Sequence, residues 1–155
     1  MGIAGLALHK HESDGKTPEG IFSLGSTVYG VRSRISSMLG YHHVVCGDWW
    51  DEQTGTAQYN QFVHVACGSQ PPFGGSSEPL WAITPQYDYF LAIKYNASPI
   101  RQGLGSAIFL HVSVGAPTAG CVAISESSLT QIITWLNPKA HPMIVITTTS
   151  ELPQW

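Results

Sequence analysis

The segment from residue 105 to residue 125 constrains this chain most, because it combines a strand pattern with a histidine and a cysteine. Side chains alternate between two faces over residues 107–113, which is the period of a strand and places His111 near its end. A glycine and a proline then predict a loop, after which Gly120 stands directly before Cys121. A thiol needs a neighbouring base to ionise, and a glycine lets backbone amides approach a developing oxyanion.

The residues alone leave two interpretations of this pair open. In one, Cys121 is a nucleophile and His111 is its base. In the other, Cys121 is a small buried hydrophobic residue and His111 is a core histidine with its hydrogen bonds satisfied. The second is the commoner situation for an isolated cysteine that follows a glycine.

The pattern of His111 followed by Thr118-Ala119-Gly120-Cys121 resembles the L,D-transpeptidase, or YkuD-type, catalytic domain family. Members of that family carry a histidine at a strand end and then Ser/Thr-x-Gly-Cys. A second stretch that is similar to the family runs from Asp14 to Phe22 and reads DGKTPEGIF. The resemblance covers the chain from about Gly2 to Ile146.

The resemblance implies roles for individual residues. Cys121 is the nucleophile, His111 takes its proton, and the amides of Ala119, Gly120 and Cys121 form the oxyanion hole. A backbone carbonyl or the Ser113 hydroxyl orients the imidazole, and the sequence leaves that choice open. The further candidates for substrate contact are Ser113, Thr118, Trp49, Trp50 and Asn96. The two tryptophans suit the wall of a cleft, although paired tryptophans are as often core.

The implied reaction is acyl transfer on peptidoglycan stem peptides. The thiolate attacks an L,D-peptide bond, D-alanine leaves, and an amine or water resolves the thioester, with no cofactor and no metal. Acylation by a carbapenem is implied as well. Many members have a histidine where this chain has Ala119 and an arginine where it has Ala123, and their His-to-Cys spacing is longer, so the donor and acceptor stay open.

Two other function classes are compatible with the same residues. One is a cysteine-dependent peptidase or amidase of the cell wall, with water as the acceptor. The other is a cell-wall binding module that keeps the fold without catalysis.

Composition narrows the remaining classes. The 155 residues fit one catalytic domain over 1–155, and a net charge of −3 with 11% charged residues gives no electrostatic footprint for nucleic acid. No apolar run reaches the roughly 20 residues of a transmembrane segment. Low charge with abundant Ser, Thr and aromatic residues favours an exported protein, periplasmic or cell-wall associated. The family implies upstream strands and an export signal, so we expect the chain to be N-terminally shortened.

Three cysteines leave one unpaired. With Cys121 reserved for chemistry, we expect Cys46 and Cys67 to be close enough to bridge, against the alternative of two buried thiols. Between Cys67 and Pro79, glycine, serine and proline dominate, which favours a mobile flap at the rim of a cleft.

The sequence predicts a mainly β fold, a YkuD-like sandwich or partly closed barrel with one principal α-helix near residues 126–136. Ser125 is the expected N-cap of that helix, and Asn137-Pro138 end it. The remaining elements are expected as strands at residues 2–8, 21–24, 42–45, 59–65, 80–84, 87–95 and 142–149, the last of them buried, with an irregular segment at 28–41.

Overall fold

Short strands joined by turns dominate the architecture, as the glycine and proline content predicts. The structure is a computed structural model and describes residues 1–75 and 77–154. In these residues the strands are β1 Leu6–Ala7, β2 Thr17–Pro18, β3 Gly20–Gly30, β4 Gly40–His43, β5 Asp48–Asp51, β6 Gln61–His64, β7 Glu78–Pro79, β8 Phe90–Ile93, β9 Phe109–Val112, β10 Val122–Ile124 and β11 Met143–Ile146. The α-helix is α1 Glu126–Trp135, and 3-10 turns lie at Leu80–Ala82, Pro138–Ala140 and Leu152–Gln154.

The largest sheet carries the strand that holds the candidate base. Its order is β10-β9-β8-β3-β11, and β4 pairs with β3 beside this path. The pairs β10/β9 and β3/β4 are parallel, whereas β9/β8, β8/β3 and β3/β11 are antiparallel. A three-stranded sheet of order β6-β5-β7 and a β1-β2 pair complete the fold. The mainly β prediction is confirmed, and the sheets do not close into a barrel.

The two faces of β9 lie in different hydrophobic clusters. Leu110 and Val112 lie in the cluster that includes the helix residues Leu129 and Ile133. Phe109, on the opposite face, lies in an aromatic cluster with Tyr87, Phe90, Trp50 and Cys121. Leu129 and Ile133 are 0% exposed, so each contributes about 1.5–3 kcal/mol of burial free energy. The helix therefore fixes the sheet from one side and leaves the other side for the site.

Helix α1 begins and ends where its sequence signals indicate. The Ser125 side chain accepts a hydrogen bond from the Ser128 amide at 3.1 Å, which satisfies one of the free N–H groups of the first turn. Leu136 is the C-cap, directly before Asn137-Pro138. The prediction of a helix near residues 126–136 is confirmed. No helix in the described part of the chain is long and apolar enough to cross a membrane.

Several predicted strand bounds are wrong. Residues 80–84 form a 3-10 turn over Leu80–Ala82, where Pro79 and Pro85 flank the segment and provide no N–H group for a ladder. The segment at 142–149 shortens to β11, an edge strand whose Met143 and Val145 are exposed. Residues 28–30, expected to be irregular, continue β3. The first strand is only β1, because residues 2–5 form a bridge and turns instead.

A disulfide closes the β5–β6 hairpin. Cys46 precedes β5 and Cys67 follows β6, and their Cα atoms are 5.1 Å apart. The prediction that these two cysteines bridge is confirmed. The bond joins two cysteines that are 21 positions apart in the sequence. Much of the chain between them is a polar loop with few buried side chains.

We expect the free energy of unfolding of the variant Cys46→Ser/Cys67→Ser to be lower by about 3 kcal/mol. Without the disulfide, the unfolded chain has more conformational entropy, which stabilises the unfolded state. Equilibrium denaturation with urea measures the change. Addition of a reductant serves as the matched control, since it should destabilise the wild type and leave the double variant unaffected. Equal free energies of unfolding for the two proteins would contradict a stabilising role for the bond.

Candidate functional site

The parallel pairing of β9 and β10 brings Cys121 to the same sheet face as His111. In the ladder, Ala123 lies beside His111 and Val122 beside Leu110, so Cys121, one residue earlier, lies beside Phe109. The Phe109 amide donates to the Cys121 Sγ at 3.3 Å, in agreement with that register. Because strand side chains alternate, Cys121 and His111 face the same side. Both line a cavity of about 170 Å³.

The thiol is buried and held by the strand backbone. It donates to the Ala107 carbonyl oxygen at 3.2 Å and is 8% exposed as a residue. Burial raises the pKa of Cys121 well above its usual range, and the charges of Glu78 and Glu52 raise it further. The resting thiol is therefore protonated at neutral pH, with its proton directed at Ala107.

The imidazole of His111 is fixed in one tautomer. Its Nδ1 lies 2.8 Å from the Val112 carbonyl oxygen, so Nδ1 carries the proton and donates it. Nε2 is then an acceptor, and it has no hydrogen-bond partner within residues 1–75 and 77–154. Burial lowers the pKa of His111, which favours the neutral ring. A backbone carbonyl orients the ring, whereas the Ser113 hydroxyl accepts from the Gly115 amide.

Cys121 and His111 thus form a neutral pair at rest. No hydrogen bond joins the sulfur to the imidazole in the described structure: Sγ bonds to Ala107 and Phe109, and Nδ1 bonds to Val112. The thiol must leave the Ala107 carbonyl before Nε2 can take its proton. A cysteine and a histidine can form a thiolate–imidazolium ion pair at rest, or they can stay neutral until the proton moves during nucleophilic attack. The geometry favours the second behaviour.

The turn before the cysteine is held by Thr118. Its hydroxyl donates to the Cys121 carbonyl at 2.7 Å and accepts from the Gly120 amide at 3.2 Å. The Gly120 amide is therefore engaged, whereas those of Ala119 and Cys121 have no partner in the described part of the chain. A Cβ at Gly120 would lie 2.9 Å from the Lys16 carbonyl oxygen, so the close approach requires glycine. Thr118 and Ala119 also line the cavity that contains His111.

Cys121 also lines a second cavity, of about 360 Å³. Its lining includes Lys10, Glu12, Glu52 and Glu78. Neither spacing nor motif connects these four residues to the cysteine in the sequence, so they were not predicted as site residues. Glu78 alone lies in a segment, Cys67 to Pro79, whose composition predicted a position at the rim of a cleft.

The segment from Cys67 to Pro79 reaches the site at its C-terminal end. Glu78 lines both cavities at Cys121, which agrees with the expected position at the rim. Phe73 is buried and contacts Trp49 edge-on, so part of the segment is anchored. Ser76 lies outside the described residues. The mobility of the segment stays a prediction.

Four of the five residues predicted to contact the substrate are absent from the lining of the two cavities that meet at Cys121, namely Ser113, Trp49, Trp50 and Asn96. Trp50 is in the aromatic core, and its Nε1 donates to the Asn60 side chain at 3.0 Å. Trp49 packs edge-on against Trp81 with ring centroids 5.1 Å apart. Asn96 bonds to backbone groups at Arg101 and Gly105 and so holds a loop.

Helix α1 begins at a distance from the thiol. Strand β10 separates Cys121 from the first helical residue, Glu126, and spans roughly 10 Å at the usual rise per residue. The helix begins at the far end of that strand. Because the dipole effect falls off within the first turn, the helix contributes little to the stabilisation of a Cys121 thiolate.

Comparison with known families agrees with the geometry. The sequence model of the L,D-transpeptidase catalytic domain family, YkuD, matches residues 3–146. The chain belongs to the YkuD family. Neither curated proteins nor solved structures gave a significant match. Among the described residues of this YkuD domain, no group of three or more His, Cys, Asp or Glu side chains could hold a metal ion.

We expect Cys121 to react slowly with iodoacetamide at pH 7, with a rate that keeps rising up to pH 10. The reason is that burial raises the thiol pKa, so the thiolate fraction grows throughout this range. Rates are measured by mass spectrometry against the same protein in denaturant, where the thiol titrates normally. A rate that reaches its plateau below pH 8 would contradict the neutral resting pair.

Proposed function

We propose that this YkuD domain, as one catalytic unit over residues 1–155, is a cysteine-dependent L,D-transpeptidase acting on peptidoglycan stem peptides. One observation supports the proposal above all. Cys121 and His111 line the same cavity from the same sheet face, and the imidazole presents an unpartnered Nε2. A protonated thiol and a neutral imidazole that line one cavity can act as a nucleophile and its base.

In the proposed first step, His111 Nε2 takes the thiol proton while Sγ attacks the carbonyl carbon of the L,D-peptide bond. The C–S bond forms, and negative charge develops on the carbonyl oxygen. The amides of Ala119 and Cys121, in the turn that carries the sulfur, have no hydrogen-bond partner in the described residues, so they are the groups that would stabilise this charge. The C–N bond then breaks, and D-alanine leaves with the proton from His111.

In the second step, the amine of a neighbouring stem peptide attacks the thioester. The new C–N bond forms, the C–S bond breaks, and the departing sulfur recovers a proton through His111. Water as acceptor would make the same machinery a peptidase or amidase.

The disulfide supports an exported location, periplasmic or cell-wall associated. Cys46 and Cys67 are bridged, and such bonds persist in oxidising compartments and are rare in the cytosol. That location would place the domain with its proposed substrate, the peptidoglycan.

The burial of a protonated thiol favours a second candidate, a non-catalytic cell-wall binding module. A binding module does not need an accessible thiolate, and Cys121 is held by two backbone hydrogen bonds at rest. Acylation separates the two candidates, because only an enzyme forms a covalent adduct. Product analysis with and without an added amine acceptor separates a transferase from a hydrolase.

We expect a carbapenem to acylate the wild type, seen as a mass increase of one drug molecule. Cys121→Ala should abolish the adduct, because the nucleophile is lost. His111→Ala should slow its formation by about 100-fold or more, because the base is lost. The matched control is His9→Ala, an exposed histidine whose loss should leave the rate unchanged.

Circular dichroism checks that each variant is folded. Acylation of Cys121→Ala at the wild-type rate would show that another residue is the nucleophile. A wild type that binds peptidoglycan and never forms an adduct would favour the binding module.

A further inference from the structure

The two cavities at Cys121 differ in chemistry. The smaller one contains His111 and mostly apolar side chains from the loop after β9. The larger one contains Lys10, Glu12, Glu52 and Glu78. Cys121, Ala119 and Glu78 line both, so the thiol stands where the cavities meet. A thioester formed on Cys121 could therefore be approached from the carboxylate side.

Two of the four charged residues in the larger cavity are already paired. The Lys10 ammonium contacts the Asp14 carboxylate at 2.6 Å. The Glu12 carboxylate accepts hydrogen bonds from Tyr59 and from Ser106. The carboxyls of Glu52 and Glu78 remain, so the cavity carries an excess of negative charge.

Strand pairing places Glu52 and Glu78 on one face. Glu78 lies opposite Trp50 in the β5/β7 ladder, and Glu52 follows Trp50 by two residues. Such diagonal neighbours on a sheet face are within reach of long side chains. The Ser77 hydroxyl accepts from the Glu52 amide at 3.1 Å, which holds the end of β5 against β7.

The oxygen atoms of these two carboxyl groups accept few hydrogen bonds. The Oε1 atom of Glu52 is fully buried and has no hydrogen-bond partner in the described residues. Glu78 accepts one bond, from the Tyr87 hydroxyl. Burial raises the pKa of both carboxyls, and the charge of Glu78 raises that of Glu52 further, so the pair shares a proton near neutral pH. A buried acceptor without a donor is costly, and a ligand that brings N–H donors would relieve that cost.

We propose that Glu52 and Glu78 form the acceptor subsite, where they bind the protonated amine of the acyl acceptor and remove its proton before it attacks the Cys121 thioester. This inference rests on the proposed function, because it requires an acyl-enzyme. An ammonium matches the single negative charge of the pair and supplies the donors that the carboxyl oxygens lack. Glu52 and Glu78 lie outside the sequence motif that contains His111 and Cys121.

The step balances without a further reactant. The R–NH3+ group gives one proton to the ionised carboxyl of the pair, and the neutral amine attacks the thioester carbonyl carbon. The C–N bond forms, the C–S bond breaks, and the second amine proton passes through His111 to the departing sulfur. The carboxyl then releases its proton to solvent with the product.

The partition of the acyl-enzyme tests the inference separately from acylation itself. A tetrapeptide stem ending in D-alanine is the donor, and a tripeptide stem with a free side-chain amine is the acceptor. The same tripeptide with that amine acetylated is the blank. Mass spectrometry gives the rate of acyl-enzyme formation and the ratio of aminolysis to hydrolysis for the wild type, Glu52→Gln, Glu78→Gln and the exposed control Glu126→Gln.

We expect the aminolysis-to-hydrolysis ratio to fall at least about 10-fold in Glu52→Gln and Glu78→Gln, and to stay at the wild-type value in Glu126→Gln. The rate of acylation should stay close to the wild-type value in the first two, since each variant keeps one carboxyl and therefore the single negative charge of the pair. An unchanged ratio would overturn the inference. So would a parallel loss of acylation and transfer, or unfolding of both variants, because the pair would then be structural. Absence of an acyl-enzyme in the wild type would overturn the proposed function and this inference together.

Discussion

The parallel pairing of β10 with β9 is the constraint on which the site depends. It sets Cys121 beside Phe109 and two positions from His111 in the direction of the strands. The Cys121 carbonyl accepts from Thr118 at 2.7 Å and from Thr17 at 3.3 Å, so the backbone of the cysteine is anchored from two segments. The sulfur is the movable part. A shift of the register by one residue would turn the thiol to the helix side of the sheet.

Electrostatics around the sulfur oppose a resting thiolate. The thiol is desolvated, carboxyls line the cavity on one side, and the helix dipole acts too far away to compensate. Chemistry in such a site has to begin with proton transfer to a base that is itself neutral. His111 meets this requirement, because the Val112 carbonyl fixes the proton on Nδ1 and leaves Nε2 as the acceptor. The same arrangement protects the thiol from adventitious reaction when no substrate is bound.

Local sequence patterns predicted the parts of the fold that local physics decides. The two-residue alternation located β9, the apolar stripe with its Ser125 cap located α1, and the odd cysteine count identified the disulfide. Patterns failed where tertiary context decides, as at Leu80–Ala82, where an apolar run forms a 3-10 turn.

Some residues of the candidate site could be predicted from local sequence, whereas others could not. Cys121, His111 and Gly120 stand in one short segment, so their spacing was visible in the sequence. Glu52 and Glu78 line a cavity with Cys121 because strands β5 and β7 pair. The three residues are far apart in the sequence, so this proximity could not be predicted from it. Trp50 was equally suited to a cleft wall or to a core, and only its burial in the structure decides for the core.

The central proposal is that Cys121, protonated and buried at rest, becomes acylated by a stem peptide. The most direct measurement is to incubate the protein with a tetrapeptide stem, quench with acid and map the adduct by peptide mass spectrometry. We expect an adduct equal to the stem peptide without its terminal D-alanine, on the peptide that contains Cys121. A folded protein that carries no adduct, or that carries it on another residue, would contradict the account.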